Sequence, residues 1–231
     1  MNYNNIRKGI FKERPNRFIA IVEIDGKEEV VHVKNTGRCK EILIPGVTVY
    51  LEKSDNPNRK TLYDLVAVCK DSLLSSNKLI NIDSQVPNHV VYEWLTRGSL
   101  FSEDAIIKKE VSYKNSRFDL YVEDGHRKIF IEVKGVTLEN NGVASFPDAP
   151  TVRGVKHINE LIECVKEGFE AYIVFVIQMK GIKTFTPNDI THPEFGEALR
   201  NAYKNGVNII AVDCNVRENG LEIDNEIEIE L

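Results

Sequence analysis

The sequence predicts an α/β (α+β) chain in two parts: a small N-terminal β-barrel, then a mixed sheet flanked by helices. Three observations predict it. Residues up to about position 84 read as short alternating strands punctuated by turn signals. Beyond Pro87 apolar residues recur at helical spacing in several segments. Between those helices Asp124-Gly125 separates two apolar-rich runs, a strong short-range signal for a β-hairpin.

In the first part, RFIAIVEI is followed by the turn Asp25-Gly26, then EEVVHVK and a turn at Asn35-Thr36-Gly37. Val47 to Lys53, the polar loop SDNPNRK, TLYDLVAVC and a weak strand near Lys78 to Ile82 complete it. Five short strands in this length predict an OB-like barrel over residues 1–84, a fold that often holds nucleic acid along one face. Lys34, Asn35, Thr36, Arg38 and Lys40 combine cations with a turn at Gly37, and backbone N–H groups and cations together clamp phosphates. Arg17 and Phe18 add a phosphate contact and a stacking surface, although barrel core is the expected place for Phe18.

The second part, residues 85–231, opens with a helix around Asn88 to Thr96 and a strand around Ile106 to Tyr113. The hairpin runs follow, Phe118 to Val122 and Ile129 to Val133. Val155, Ile158, Leu161, Ile162 and Val165 then place an apolar stripe on a helix from Arg153 to Gly168. Ala171 to Met179 reads as a buried strand, Glu194 to Asn205 as a helix ended by Gly206, and Asn208 to Val212 as a strand. The closing EIEIEL alternates strictly, as an edge strand does.

The chain has 231 residues, 42% hydrophobic and 28% charged, an ordinary globular composition that argues against disorder. No run approaches the roughly 18 apolar residues of a membrane helix, and the first residues lack the apolar core of a signal peptide, so a cytoplasmic protein without membrane contact is expected. Four scattered cysteines with no Cys-x-x-Cys argue for reduced, packed thiols rather than a zinc site. Net charge is −5, yet residues 1–80 hold 14 Lys and Arg against 10 Asp and Glu, and the remainder 16 against 25. A mildly basic module joined to an acidic one fits backbone binding beside a carboxylate site.

The hairpin carries that site. Side chains alternate along a strand, so any even-length loop puts Asp119, Glu132 and Lys134 on one face. A loop of Asp124-Gly125 alone sets Asp119 against Phe130, and a loop of Asp124 to Arg127 sets it against Glu132. Two carboxylates suit a hard cation, Mg²⁺ or Mn²⁺, and an adjacent ammonium can orient water or offset charge on a phosphoryl transition state. An ordinary cross-strand ion pair, worth about 0–1 kcal/mol, is the alternative reading of the same residues. Arg153, His157 and Glu160 recur at i, i+4 and i+7 opposite the apolar stripe, from where Arg153 and His157 can face a phosphate. Glu110 on the preceding strand and Gln178 at the end of a later one are further candidates for supporting the site. The loop from Asn140 to Thr151 is expected to form a lid or wedge.

Helix, three strands, helix and strand, with acids on the second and third strands, resembles the core of the PD-(D/E)XK nuclease superfamily. More narrowly the chain resembles the sugar fermentation stimulation protein A (SfsA) family over nearly its whole length. The matching segments are RFIAIV, NTGRCKEILIPG, SRFDL, IEVKGVTL and FPDAPTVRGVKHINEL. The resemblance implies an OB-fold domain followed by a PD-(D/E)XK nuclease-like domain, with Asp119 and Glu132 as metal ligands and Lys134 as the catalytic lysine. It implies DNA as partner, and since the sequence offers no recognition helix with a base-reading array, strong sequence preference is not expected. The function expected is a DNA-binding, Mg-dependent phosphodiesterase; the alternative is a non-catalytic, nonspecific DNA-binding regulatory protein linked to sugar metabolism.

Overall fold

The computed structural model describes residues 1–35, 37–72 and 75–231. The chain folds as two compact units, one of Met1–Val86 with Gln178–Lys180 and Cys214–Glu222, the other of Pro87–Ile177, Gly181–Asp213 and Ile223–Leu231.

In the first unit β1 (Ile6–Asn16), β2 (Ile19–Ile24), β3 (Lys27–Val33), β4 (Thr48–Lys53) and β5 (Tyr63–Ser72) lie in the order β3-β2-β1-β4-β5. Parallel pairing of β3 with β5 closes these five strands into an OB-like barrel, and β6 (Ser75–Asn81) adds to β5 outside the closure. The fifth barrel strand is therefore β1, not the weak run near Lys78. Its sequence, IRKGIFKERPN, hides the strand because only Gly9 and Phe11 are buried and five of the other positions carry long charged chains. Gly9 is required by packing: a Cβ there would lie 2.5 Å from Val22 Cγ1 and 2.9 Å from Glu23 O. Asp25 and Gly26 both have positive φ, +51° and +76°, the geometry that turns β2 tightly into β3.

The second unit begins with α1 (Val86–Thr96), whose first residue still belongs to the barrel unit. β7 (Ile106–Tyr113), β8 (Ser116–Asp124) and β9 (Arg127–Val136) form an antiparallel meander. β10 (Glu139–Asn140) and β11 (Val143–Phe146) make a short hairpin before α2 (Val152–Lys166). β12 (Glu170–Ile177), β13 (Thr184–Pro187), α3 (Pro193–Lys204), β14 (Asn208–Arg217), β15 (Gly220–Glu226) and β16 (Glu228–Ile229) follow. The main sheet has the order β15-β14-β12-β9-β8-β7, with β9, β12 and β14 parallel. Such pairings need crossovers, and α2 and α3 supply them.

The helices start and stop for local reasons. The Thr151 hydroxyl accepts the Gly154 N–H at 3.0 Å to cap α2, and Gly168, at φ +87°, lets the chain leave it. Pro193 opens α3, where its missing N–H costs nothing. The closing EIEIEL supplies the last residue of β15 and then β16, at the edge of a second sheet ordered β10-β11-β13-β16. The expected lid is part of the same sheet. Phe146 packs against Phe175 and Phe195, with ring centroids 5.7 and 5.1 Å apart, so this segment is anchored in the core. All four cysteines are buried and none forms a disulfide. Among the described residues no helix is long and apolar enough to cross a membrane.

Candidate functional site

Asp124 pairs with Arg127, so the β8–β9 loop is Gly125-His126, and the register runs to Leu120 opposite Ile131. This is the register of the longer-loop alternative. One step further it would set Asp119 against Glu132, but there the ladder ends. The Asp119 carboxylate takes its place: Oδ2 accepts the Val133 N–H at 2.8 Å and Oδ1 accepts Asn88 Nδ2 at 2.7 Å. Asn88 comes from the first turn of α1 and fixes the acid from the helix side as Val133 fixes it from the sheet.

Glu132 is 2% exposed. Its Oε1 accepts both the Lys134 ammonium and His157 Nδ1, from β9 itself and from α2. His157 Nε2 in turn accepts Arg153 Nε at 3.3 Å, which assigns the ring proton to Nδ1. The result is a chain of donors, Arg153 to His157 to Glu132, with Lys134 closing on the same oxygen. The second oxygen, Oε2, is buried with no hydrogen-bond partner. A buried anionic acceptor without a partner is costly.

The two acids differ electrostatically. Burial, and next the charge of Glu132, push the Asp119 carboxyl above the usual range. Burial acts upward on Glu132 too, but the hydrogen bond from His157 and the charge and hydrogen bond of Lys134 outweigh it and hold the group below. Glu132 is thus the settled anion, and Asp119 the acid that nearby positive charge would stabilise most.

The donor set fits a hard divalent cation in chemistry: two carboxylates, one with an unpartnered buried oxygen. Among the described residues no three His, Cys, Asp or Glu side chains converge on one point, so water or substrate oxygens would have to fill the remaining positions.

The other sequence candidates are placed as follows. Arg153 and His157 join the group. His157, at 5% exposure, faces inward, not away from the apolar stripe; its imidazole spans between Glu132 and the edge of Phe118. Glu110 does not join: it is exposed at φ +55° and pairs with Arg117 at 3.4 Å. Nor does Gln178. It belongs to the barrel unit, where its amide is consumed by Asn81 Oδ1 at 2.7 Å and Asp83 O at 3.1 Å.

In the barrel, Lys34 is engaged rather than presented, its ammonium 3.2 Å from Asp83 and 3.4 Å from Asp64. Asn35 bonds Ile82 O at 2.8 Å and the Gly37 N–H at 2.7 Å. Thr36 lies outside the described residues. Arg38 and Lys40 are exposed, as is Arg17, whose guanidinium sits 5.3 Å from the Phe18 ring centroid. Phe18 is 50% exposed, not core. The residue that orders this surface is Arg14, which donates to the carbonyls of Asn35, Gly37, Arg38 and Arg17 at 2.6–2.8 Å. Nothing in the sequence marked it among the other basic residues of β1. Asn88 was visible only as the start of a helix.

Comparison with known proteins places the whole chain. Residues 85–220 match the model of the sugar fermentation stimulation protein RE domain, and residues 13–82 that of the SfsA N-terminal OB domain. The sugar fermentation stimulation protein homolog of Clostridium beijerinckii is 60% identical over 229 residues, 99% of each chain. That of Ruminiclostridium cellulolyticum is 59% identical over 231 residues, 100% of each. The structure of Pyrococcus furiosus SfsA in complex with Ca²⁺ superposes with TM-score 0.86 at 29% identity, covering 100% of this chain and 98% of that one.

Proposed function

The chain belongs to the sugar fermentation stimulation protein family, and from that premise we propose that it is a DNA-binding protein whose second unit hydrolyses phosphodiester bonds with a divalent cation. The observation that carries the proposal is the buried, unpartnered Oε2 of Glu132 beside Asp119 and Lys134. Support for a cation also comes from the Pyrococcus furiosus relative, solved with Ca²⁺. Mg²⁺ or Mn²⁺ would be held by Asp119 and Glu132.

The bound ion would supply Lewis acidity toward the phosphate and its attacking water. The protein's part is positional. Asn88 and the Val133 N–H fix Asp119, and His157 and Lys134 fix Glu132, so neither acid has to reorganise when substrate arrives. Lys134, its side chain 16% exposed, holds its ammonium on Glu132, from where it would reach a phosphoryl oxygen or a water. Arg38, Lys40, Arg17 and Phe18 supply cations and a stacking ring on the barrel.

A second reading, a DNA-binding regulatory protein that does not cut, is favoured by the absence of a third side-chain ligand among the described residues. One experiment separates the two. Wild type, Asp119→Ala and Lys134→Ala are incubated with labelled single- and double-stranded DNA and RNA, with Mg²⁺ or Mn²⁺ and then with EDTA. Metal-dependent cutting that vanishes in Asp119→Ala and falls by about 10²–10³ in Lys134→Ala supports the hydrolase. Salt-sensitive binding by all three without cutting supports the regulator.

A further inference from the structure

A cavity of about 440 Å³ opens beside the carboxylate group, between the β7–β8 turn and the first turns of α2. That is the size of a small-ligand pocket. Of its eight lining residues four are cationic, Lys114, Arg117, Arg153 and Lys156, and none is acidic. We propose that this cavity binds one phosphate group of a nucleic-acid strand, next to the bond acted on at Asp119 and Glu132; the second half of this statement rests on the hydrolase reading.

Lys156 donates to Asn115 O at 3.0 Å, and the other three cations are available to an incoming anion. Lys114 meets Glu167 at 2.5 Å and Arg117 meets Glu110 at 3.4 Å, but these side chains are 45–66% exposed. Ion pairs this exposed contribute about 0–1 kcal/mol, so a phosphate can replace the carboxylate partners at little cost. Among the described residues no carboxylate pairs with Arg153, whose Nε alone is engaged, by His157. The remaining nitrogens of two guanidinium forks suit the oxygens of a phosphate, which they can bind in pairs. Ser116, a further lining residue, has a buried hydroxyl with no hydrogen-bond partner.

Position ties the cavity to the carboxylates. Arg117 precedes Asp119 by two residues on β8, about 7 Å along a strand. His157 lines the cavity and also donates to Glu132. One strand of nucleic acid can therefore place one phosphate in the cavity and the next at the acids.

The test needs no turnover. In EDTA, inorganic phosphate and a short single-stranded oligonucleotide are titrated separately into wild type and Lys114→Gln/Arg117→Gln. A second variant, Arg117→Glu, adds repulsion at an exposed position that folding does not depend on. Both probes should bind wild type, and both should weaken at least tenfold in the two cavity variants. Failure of phosphate to bind wild type, or equal binding by the cavity variants, overturns the site. Oligonucleotide binding that ignores Arg117 while phosphate binding depends on it overturns its assignment to nucleic acid. With Mg²⁺ present, cutting whose KM is unmoved in the cavity variants keeps the hydrolase and removes the cavity from it; binding without cutting does the reverse.

Discussion

Replacing Arg14 by Met should loosen the loop after β3 without unfolding the barrel. The guanidinium donates to four carbonyls, of which the bonds to Asn35 and Gly37 are partly buried and those to Arg17 and Arg38 exposed. At about 1.5 kcal/mol for each buried charged bond and about 0.5 for each exposed one, the side chain supplies about 4 kcal/mol. Freezing an arginine costs about 2 kcal/mol of rotamer freedom, leaving a net contribution of about 2 kcal/mol. Because all four acceptors lie within one segment and its neighbour, the loss should appear locally. Exchange of the Gly37 amide, which bonds Asn35 Oδ1, should accelerate about 30-fold, the rate equivalent of that energy. Arg14→Lys, a single ammonium without the planar fork, should recover less than half of the protection. If Arg38 and Lys40 act on nucleic acid, affinity should fall in parallel. Unchanged exchange in Arg14→Met would refute the reasoning, because it would mean that the loop holds its shape without the guanidinium.

The buried Asp64 should make the barrel sensitive to acid: burial acts upward on it, but hydrogen bonds from Arg59 and His32 and the charge of Lys34 bring its carboxyl down to about 2. A depressed carboxyl stabilises the fold above the unfolded-state value near 4 and loses that stability as pH falls toward 2, by about 2 kcal/mol. Asp64→Asn, followed by urea unfolding from pH 5 to pH 2, should flatten this dependence. Gly9→Ala should destabilise by about 1–3 kcal/mol, since the new methyl meets Val22 and the Glu23 carbonyl inside contact distance; a urea midpoint within error of wild type would contradict that. His157→Leu should cost about 2 kcal/mol by removing a donor from buried Glu132, and His157→Gln should restore most of it in the same denaturation assay.

The hairpin was the most legible part of the chain because two independent signals agreed on it. Asp-Gly marked the turn and side-chain parity marked the face, and both depend only on local geometry. Parity alone could not choose between Phe130 and Glu132 as the partner of Asp119, since the two registers differ by one pair of residues. Hydrogen bonding decides that, and it also ends the ladder at Leu120, where the carboxylate of Asp119 competes successfully for the Val133 N–H. A side chain that replaces a main-chain acceptor leaves no trace in an alternating pattern.

The misses share another cause, which is that charge in a sequence does not reveal which charges are already satisfied. Lys34, Asn35, Arg38 and Lys40 look equivalent as a basic loop, yet Lys34 is held by Asp64 and Asp83, which are remote in sequence, and Asn35 by Ile82. Only long-range closure of the barrel decides which cations remain exposed. The same holds for β1, whose charged residues disguised a barrel strand, and for Gln178, whose amide is committed to Asn81. Glu132 is the converse case: its neighbours His157 and Lys134 were both legible, but both use one oxygen, and the other is left buried and bare. A fold that satisfies Lys34 and Gln178 so fully, and leaves an oxygen of Glu132 bare beside Asp119, keeps an open acceptor where a cation would be held.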